Sequence, residues 1–329
     1  MNNYLFFRTD RIGDFLLSAI LVNSIKRNDP NSHISVVCSS KNYNYVKNFH
    51  LVDNAILYPE KNFFKKTSFF LKMFLKKNYC TIICDGKKRS IYSAIFIKSK
   101  VKILFTTKIL HKILFNFFFS KILIDKYAKS KIFEIQNALY HLKFNFIEKD
   151  LNTLKVESDK NFSIIAKKDF ILLHFDEKWI HKSYIKSYKK IEPSINEFKK
   201  FIEDVVMVTK KNLVITTGLE NNYLIDDIKS ELDLVNNNIF KKHFNSNSII
   251  LFNDTNFFDI EFLISKSNLL IASHGAVTHV AASLNIRIFD IIDDSENIFF
   301  DKWTSHFKRY KKFVRKDFSS LSKEIINHL

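Results

Sequence analysis

Glycine and proline are scarce, at 4 and 3 in 329 residues, and cysteine is as rare, at 3. An odd count of cysteines is not a disulfide framework, and the spacing of Cys38, Cys80 and Cys84 is not that of a zinc site. All three lie in apolar strand-like runs, which reads as buried reduced thiols and a reducing compartment. No uncharged apolar run is long enough for a transmembrane helix. The chain enters a strand-like run at Tyr4 to Phe7 with no leader pattern before it, so the expectation is a cytoplasmic protein.

Acidic residues are short on one side only. The formal net charge is +18; residues 1–150 hold 26 Lys and Arg against 10 Asp and Glu, and the remainder holds 26 against 24. A basic N-terminal half points to an anionic partner: a phosphorylated glycolipid, a membrane surface or nucleic acid. Helix-turn-helix, RNP and zinc-finger patterns are missing, which argues against nucleic acid.

What is present suits a globular protein. Hydrophobic residues make up 46% and charged residues 26%, with 35 Phe. The length fits two α/β domains. Strand-like and helix-like segments alternate throughout, the pattern of parallel sheets with helices on both faces. The first series has strands at Tyr4–Arg8, His33–Cys38, Ala55–Tyr58, Thr81–Cys84 and Lys102–Phe105, with a helix over Phe15–Arg27. Residues 149–168 are polar and aperiodic. The second series has strands at Phe170–Phe175, Leu213–Thr217, Ile249–Phe252, Leu269–Ala272 and Arg287–Ile291. Its helices are Ile195–Val208, Asn221–Leu232, Phe258–Ser265 and Val277–Leu284. The expected domains are 1–150 and 169–318, joined by a linker over 151–168 and followed by a terminal helix over 319–329. Doubly wound domains bind ligands at the carboxyl ends of their strands, here expected to face a shared central cleft.

In so glycine-poor a chain each glycine is informative. Gly13, Gly86, Gly218 and Gly275 all follow a predicted strand, where positive φ or close approach to a ligand asks for one. Arg8-Thr9-Asp10-Arg11-Ile12-Gly13-Asp14 joins the first strand to the first helix. Asp14 falls at or near the helix N-cap, where it either caps free N–H groups or presents a carboxylate as a general base. Ser273-His274-Gly275-Ala276-Val277-Thr278-His279 leads into a short Ala-rich helix, whose N-terminus suits phosphate, with His279 as a donor to an anion. The two histidines do not share a helical face and no carboxylate stands beside them in sequence, so no metal site is read there. Thr216-Thr217-Gly218-Leu219-Glu220 ends a strand, and Glu220 either caps the next helix or binds ribose hydroxyls. Lys178 and Lys182 follow the first strand of the second series, as solvated charges or as ligands of a diphosphate.

At these residues the sequence resembles the heptosyltransferase family, glycosyltransferase family 9. Arg8 to Leu17 is similar to that family's opening segment; Asp85-Gly86 with Ser90 to Ser93, Thr217 to Glu220, and Gly275 to Ala282 follow in the family's order. The resemblance implies an α/β fold of GT-B architecture, two Rossmann-like doubly wound domains, with acceptor in the first and sugar nucleotide in the second. It implies inverting transfer without an obligatory metal or cofactor, from a nucleotide-sugar donor such as ADP-heptose to an anionic glycolipid or oligosaccharide of the lipopolysaccharide type. By position Asp14 matches the base. Arg8, Arg11, Gly13, Asp85 and Gly86 fall on the acceptor side. Lys178 or Lys182, Thr217, Gly218, Glu220, Ser273, His274, Gly275, Ala276, Thr278 and His279 fall on the donor side. Ser273-His274 stands where the family has an acidic residue before the glycine, which keeps a catalytically silent, glycan- or nucleotide-binding homologue as the other reading. No Asp-x-Asp pattern lies near the nucleotide loop.

Two stretches of the basic half interleave Phe with Lys, at Lys61–Lys77 and Thr107–Lys121. Each reads as a core-facing helix with solvated lysines, or as an amphipathic helix lying on the cytoplasmic face of the inner membrane.

Overall fold

The two series of apolar runs become two parallel sheets. The computed structural model describes residues 1–59, 63–125, 129–156, 165, 169–180, 191–218, 223–236 and 238–329. They divide into two units, Met1–Thr153 and Leu154–Leu329.

The first unit runs β1 (Asn3–Phe7), α1 (Ile12–Asn28), β2 (His33–Cys38), α2 (Tyr43–Lys47), β3 (Asn54–Leu57), α3 (Phe63–Leu75), β4 (Lys77–Ile83), α4 (Lys88–Phe96), β5 (Lys98–Thr106), α5 (Ile109–Phe115), β6 (Lys121–Ile124) and α6 (Lys131–His141). Its strands are all parallel, in the order β3-β2-β1-β4-β5-β6. Tyr4, Leu5, Phe6 and Phe7 are all buried, as a strand covered on both faces requires. Leu5 and Phe7 pack with Phe69 and Met73 of α3, Ile91 and Ala94 of α4, and Phe119. Helix α1 places Lys26 and Arg27 in its last turn, where positive charge suits the helix dipole. Arg27 grips buried Asp150 with two bonds, Nε to Oδ1 at 2.7 Å and Nη2 to Oδ2 at 2.9 Å. This pair ties residues 148–151 to the first unit.

The second unit runs β7 (Phe170–Phe175), α7 (Ile195–Thr209), β8 (Asn212–Thr217), α8 (Tyr223–Lys229), β9 (Asp233–Asn236), β10 (Ile239–Phe244), β11 (Asn247–Phe252), α9 (Phe257–Lys266), β12 (Leu269–Ser273), α10 (Ala276–Ser283), β13 (Arg287–Ile292), α11 (Asn297–Thr304), β14 (Tyr310–Val314) and α12 (Phe318–Ile326). The order is β14-β13-β12-β7-β8-β11-β10-β9. Strand β10 pairs antiparallel with both β9 and β11, and the other pairs are parallel. Helix α7 begins with a capping box: Ser194 Oγ accepts from Glu197 N–H, and Glu197 Oε2 accepts from Ser194 N–H at 2.9 Å. Phe198, Phe201, Ile202, Val205 and Val206 make its buried stripe, the spacing of a core-facing helix. Phe201 meets Phe318 of α12 at 5.6 Å, so the terminal helix is part of this unit's core.

Leaving the β9–β10 hairpin aside, the two sheets have the same strand order, with the first strand of each unit beside the fourth. There the winding reverses, and the carboxyl ends of β1 and β4, and of β7 and β12, open a crevice. Strands β6, β9, β10 and β14 and helices α2, α4 and α11 were not anticipated. Lysines interrupt β10 and β14, so neither reads as an apolar run. Gly13 is the second residue of α1 rather than part of a turn. Cys38 and Cys80 are buried and Cys84 half-buried, all free. Burial pushes the Cys38 thiol up to about 12 and raises the other two, so all three stay protonated and unreactive. Among the described residues no helix is long and apolar enough to cross a membrane.

Candidate active-site residues in the two units

In the first unit the ends of β1 and β4 are tied by Asp85. Its Oδ2 accepts from the Thr9 hydroxyl at 2.6 Å and the Ser90 hydroxyl at 2.7 Å, and its Oδ1 from Lys87 N–H at 3.1 Å. Gly86, at φ 59°, makes the turn, and a Cβ there would sit 3.0 Å from Phe105 O. Lys87 donates to Thr9 O at 3.0 Å and pairs with Asp10. Arg89 donates to Thr9 Oγ1 at 3.0 Å. Arg8 donates from Nε to Ser18 Oγ at 2.8 Å and pairs with Asp10 at 3.1 Å. Burial opposes the Arg8 charge, but the Asp14, Asp10 and Asp85 carboxylates outweigh it and raise the pKa. Asp14 lies in the first turn of α1, half-buried, with Oδ2 accepting from Arg11 N–H at 3.3 Å. That bond is the carboxylate's half of a capping box at the start of α1.

In the second unit Lys178 ties the end of β7 to the end of β12. Its ammonium lies 2.8 Å from Asp176 Oδ2, 2.8 Å from His274 O and 3.4 Å from Ser273 O. The short turn that carries it is anchored on both sides. Trp179 is buried and donates to His174 O at 3.0 Å, while Arg315 donates to Lys178 O at 2.7 Å. A Cβ on Gly275 would stand 2.5 Å from Lys178 Nζ, so glycine is what lets the ammonium reach the start of α10. Nothing among the described residues accepts from the N–H groups of Ala276 and Val277, the free donors of a helix start. Ser273 Oγ and Asp290 Oδ1 are buried without a partner, and such orphans cluster where a ligand or ion belongs. Together these set the Lys178–Asp176 ion pair beside two orphaned polar atoms at the switch point.

No family model matches the chain, and no curated protein sequence matches it. Solved structures do. A glycosyl transferase family 9 protein from Veillonella parvula aligns with a TM-score of 0.64 at 14% identity, over 99% of this chain and 88% of that one. The E. coli ADP-heptose lps heptosyltransferase II aligns at 0.66 and 12%, over 99% and 97%. The chain has the fold of the family 9 glycosyltransferases. A UDP-GlcNAc 2-epimerase from Methanocaldococcus jannaschii shares it as well, at 0.59 and 10% over 99% and 92%. At these identities the likeness is one of fold, and the fold class is the expected one, doubly wound α/β of the GT-B class.

The geometry rearranges several expected roles. Thr278 is buried and its hydroxyl donates to Gly275 O at 2.8 Å, so it holds the turn instead of facing a ligand. His279 is buried among rings, 5.5 Å from His274, 6.3 Å from Trp303 and 5.3 Å from Phe307. Burial, with His274 and His306 nearby, pushes its pKa far down; it is neutral and brings no positive charge to an anion. The two histidines do meet, because His274 belongs to the strand end and not to the helix. A carboxylate also stands beside them: Asp290 Oδ2 lies 2.7 Å from His274 Nδ1 and accepts from the Tyr310 hydroxyl at 3.1 Å. Among the described residues no cluster of side chains fits a metal ion. Thr217 and Gly218 end β8 against the Asp176 turn, where a Cβ on Gly218 would come 2.8 Å from Asp176 Cβ. Lys182 and Glu220 lie outside the described residues.

Sequence reasoning passed over Asp176, Lys87, Arg89 and Asp290. The first lies two residues before Lys178, and the next two extend the Asp85-Gly86 turn. Asp290 had one signal, a single acid inside the apolar strand Arg287–Ile291.

Proposed function

We propose that the chain is a glycosyltransferase using a nucleoside-diphosphate sugar. The observation that carries this is the Lys178 ammonium seated against the start of α10, beside the orphaned Ser273 hydroxyl, at the switch point of the second sheet. A diphosphate there would meet a fixed positive charge and free N–H groups that need no reorganisation as negative charge develops. The fold supports the reading, since the aligned E. coli protein is named for ADP-heptose.

In the proposed reaction the sugar C1–O bond to the diphosphate breaks and its electron pair leaves on the phosphate oxygen. An acceptor oxygen bonds C1 from the opposite face, and its proton passes to Asp14. The anomeric centre inverts. Lys178 and the helix start neutralise the leaving group, so this reading requires no metal ion. The acceptor is an anionic glycolipid or oligosaccharide bound by the first unit, with Arg8, Arg11, Lys87 and Arg89 supplying positive charge around Asp14.

One observation favours the silent homologue. Three protein acceptors already surround Lys178 Nζ, and both Thr278 and His279 are withdrawn from any ligand. A thermal-shift panel of ADP-, UDP-, GDP-, CDP- and dTDP-sugars separates the readings. A donor should raise the unfolding temperature of the wild type and of Asp14→Asn alike. With a cell-surface glycan acceptor, Asp14→Asn should then transfer roughly 10²–10⁴-fold more slowly, the usual range for losing a general base. Binding without nucleotide release by the wild type would assign the silent role. No shift with any donor would end the nucleotide-sugar reading altogether.

A further inference from the structure

Helices α3, α4 and α5 lie over one face of the first sheet, because Phe69 and Met73, Ile91 and Ala94, and Phe115 with Phe119 share one apolar cluster with Leu5 and Phe7. In α5 and the turn after it, three residues four apart point inward. His111 and Phe115 meet at 5.4 Å, and Phe115 and Phe119 at 6.5 Å. The His111 ring is fixed by the Thr106 hydroxyl at 2.7 Å. With that stripe holding the segment, the other apolar residues face water. Ile109, Leu110, Ile113, Leu114, Phe117 and Phe118 are all exposed, Ile113 at 71% and Phe117 at 96%. Tyr92 and Phe96 of α4, also exposed, adjoin them, Tyr92 meeting Phe115 at 6.1 Å. The apolar surface here is thus on the outer side of the layer, the reverse of a core-facing helix.

The charge on this layer is of one sign. Residues 86–124 contain nine Lys and Arg and no Asp or Glu, and residues 61–85 add six Lys against one acid, Asp85. Lys108 and Lys112 are exposed within the apolar face itself, with Lys88, Lys98, Lys100 and Lys121 exposed around it.

We propose that this face docks on an anionic lipid surface, with Ile113, Leu114, Phe117 and Phe118 entering the interface and the lysines meeting lipid phosphates. A short helix with bulky apolar residues on one side and lysines at its margin lies in a membrane interface instead of crossing it. A second copy of the chain is the poorer occupant, because symmetric pairing would set lysine against lysine. Negative lipid removes that repulsion, each basic residue near such a surface contributing about fivefold in partition. The inference does not rest on the reaction proposed above.

Flotation of the full chain with phosphatidylcholine vesicles, with and without phosphatidylglycerol, tests it. The expected result is binding only to the anionic vesicles, weakened by salt. Ile113→Asp with Phe117→Asp, and separately Lys108→Glu with Lys112→Glu, should each lower partition at least about tenfold. Ile298→Asp, an equally exposed apolar residue of the second unit, should change nothing, and circular dichroism should show all variants folded. Absence of flotation at low salt would overturn the proposal, as would variants that float like the wild type. A concentration-dependent dimer lost in Ile113→Asp with Phe117→Asp, without vesicle binding, would reassign the face to a second copy. A salt-sensitive nucleic-acid shift without vesicle binding would reassign it to nucleic acid.

Discussion

The ring of His274 and the carboxylate of Asp290, 16 residues apart in sequence, meet at 2.7 Å across neighbouring strands β12 and β13. Asp290 has no exposed surface, so its charge is tolerated only through His274 and the Tyr310 hydroxyl. The contact engages Nδ1 of His274, whose ring also packs against Phe300 at 4.6 Å.

Replacing Asp290 with Leu should cost about 2–4 kcal/mol, because it strands the Tyr310 hydroxyl and the His274 nitrogen in the interior. Asp290→Asn keeps an acceptor and should lose about half of that or less. Urea unfolding of the two variants decides it; equal losses would mean that the bonds to Asp290 contribute nothing.

Two glycines should separate stability from binding. Gly275→Ala places a methyl 2.5 Å from Lys178 Nζ, the free end of a flexible side chain. It should leave stability within about 0.5 kcal/mol and weaken nucleotide binding about tenfold by displacing the ammonium. Gly218→Ala meets Asp176 Cβ at 2.8 Å and its Cα at 3.2 Å, atoms fixed to backbone, and should lose about 1–3 kcal/mol. Unchanged nucleotide affinity in Gly275→Ala would remove Lys178 from the donor site.

Acid should destabilise the second unit well before its carboxylates titrate. Burial pulls His174 and His306 down to about 4, the Asp176 carboxylate offsetting the first only in part. Both are neutral when folded, while the unfolded chain takes up protons at about 6.5. Stability therefore falls as pH drops from about 6.5 to about 4, by roughly 2 kcal/mol per unit near pH 5 from these two groups. Urea midpoints at pH 7, 6 and 5 measure the slope. A flat profile would show the rings are protonated, or exposed, in the folded chain.

The Arg27–Asp150 pair should matter at lower pH. Burial alone would raise Asp150, but Arg27, the Ile147 N–H and Ser24 outweigh it and hold the carboxyl below its usual range. A depressed carboxyl contributes stability that is present above about pH 4 and lost as pH falls through the folded value. Asp150→Ala should cost about 3 kcal/mol at neutral pH by leaving Arg27 and the Ser24 hydroxyl without their partner, and the wild type should approach the variant as acid is added. A constant difference between the two down to pH 2 would refute the assignment.

The alternation of runs, the β1–α1 segment with Asp14 and the strand-end glycines were legible because each rests on neighbours in sequence. Apolar runs, caps and strand-end glycines act over a few residues, and one residue order suffices to find them. Burial on both sheet faces made the parallel strands readable, while the lysines of β10 and β14 hid strands that need to be apolar on one side only.

Contacts between strands and the side of a helix that meets the core were settled elsewhere. Sequence placed no carboxylate near His274, because Asp290 arrives from the next strand through a register of pairing that only the folded sheet fixes. His279 sits on a turn of α10 that reads as exposed, and its withdrawal among Trp303 and Phe307 depends on α11 and the chain that follows it. In α5 the periodicity marks two apolar stripes, and either satisfies the pattern. Tertiary packing chose His111, Phe115 and Phe119 for the interior, since one narrow stripe fills the space above the sheet, and left the broader stripe to water.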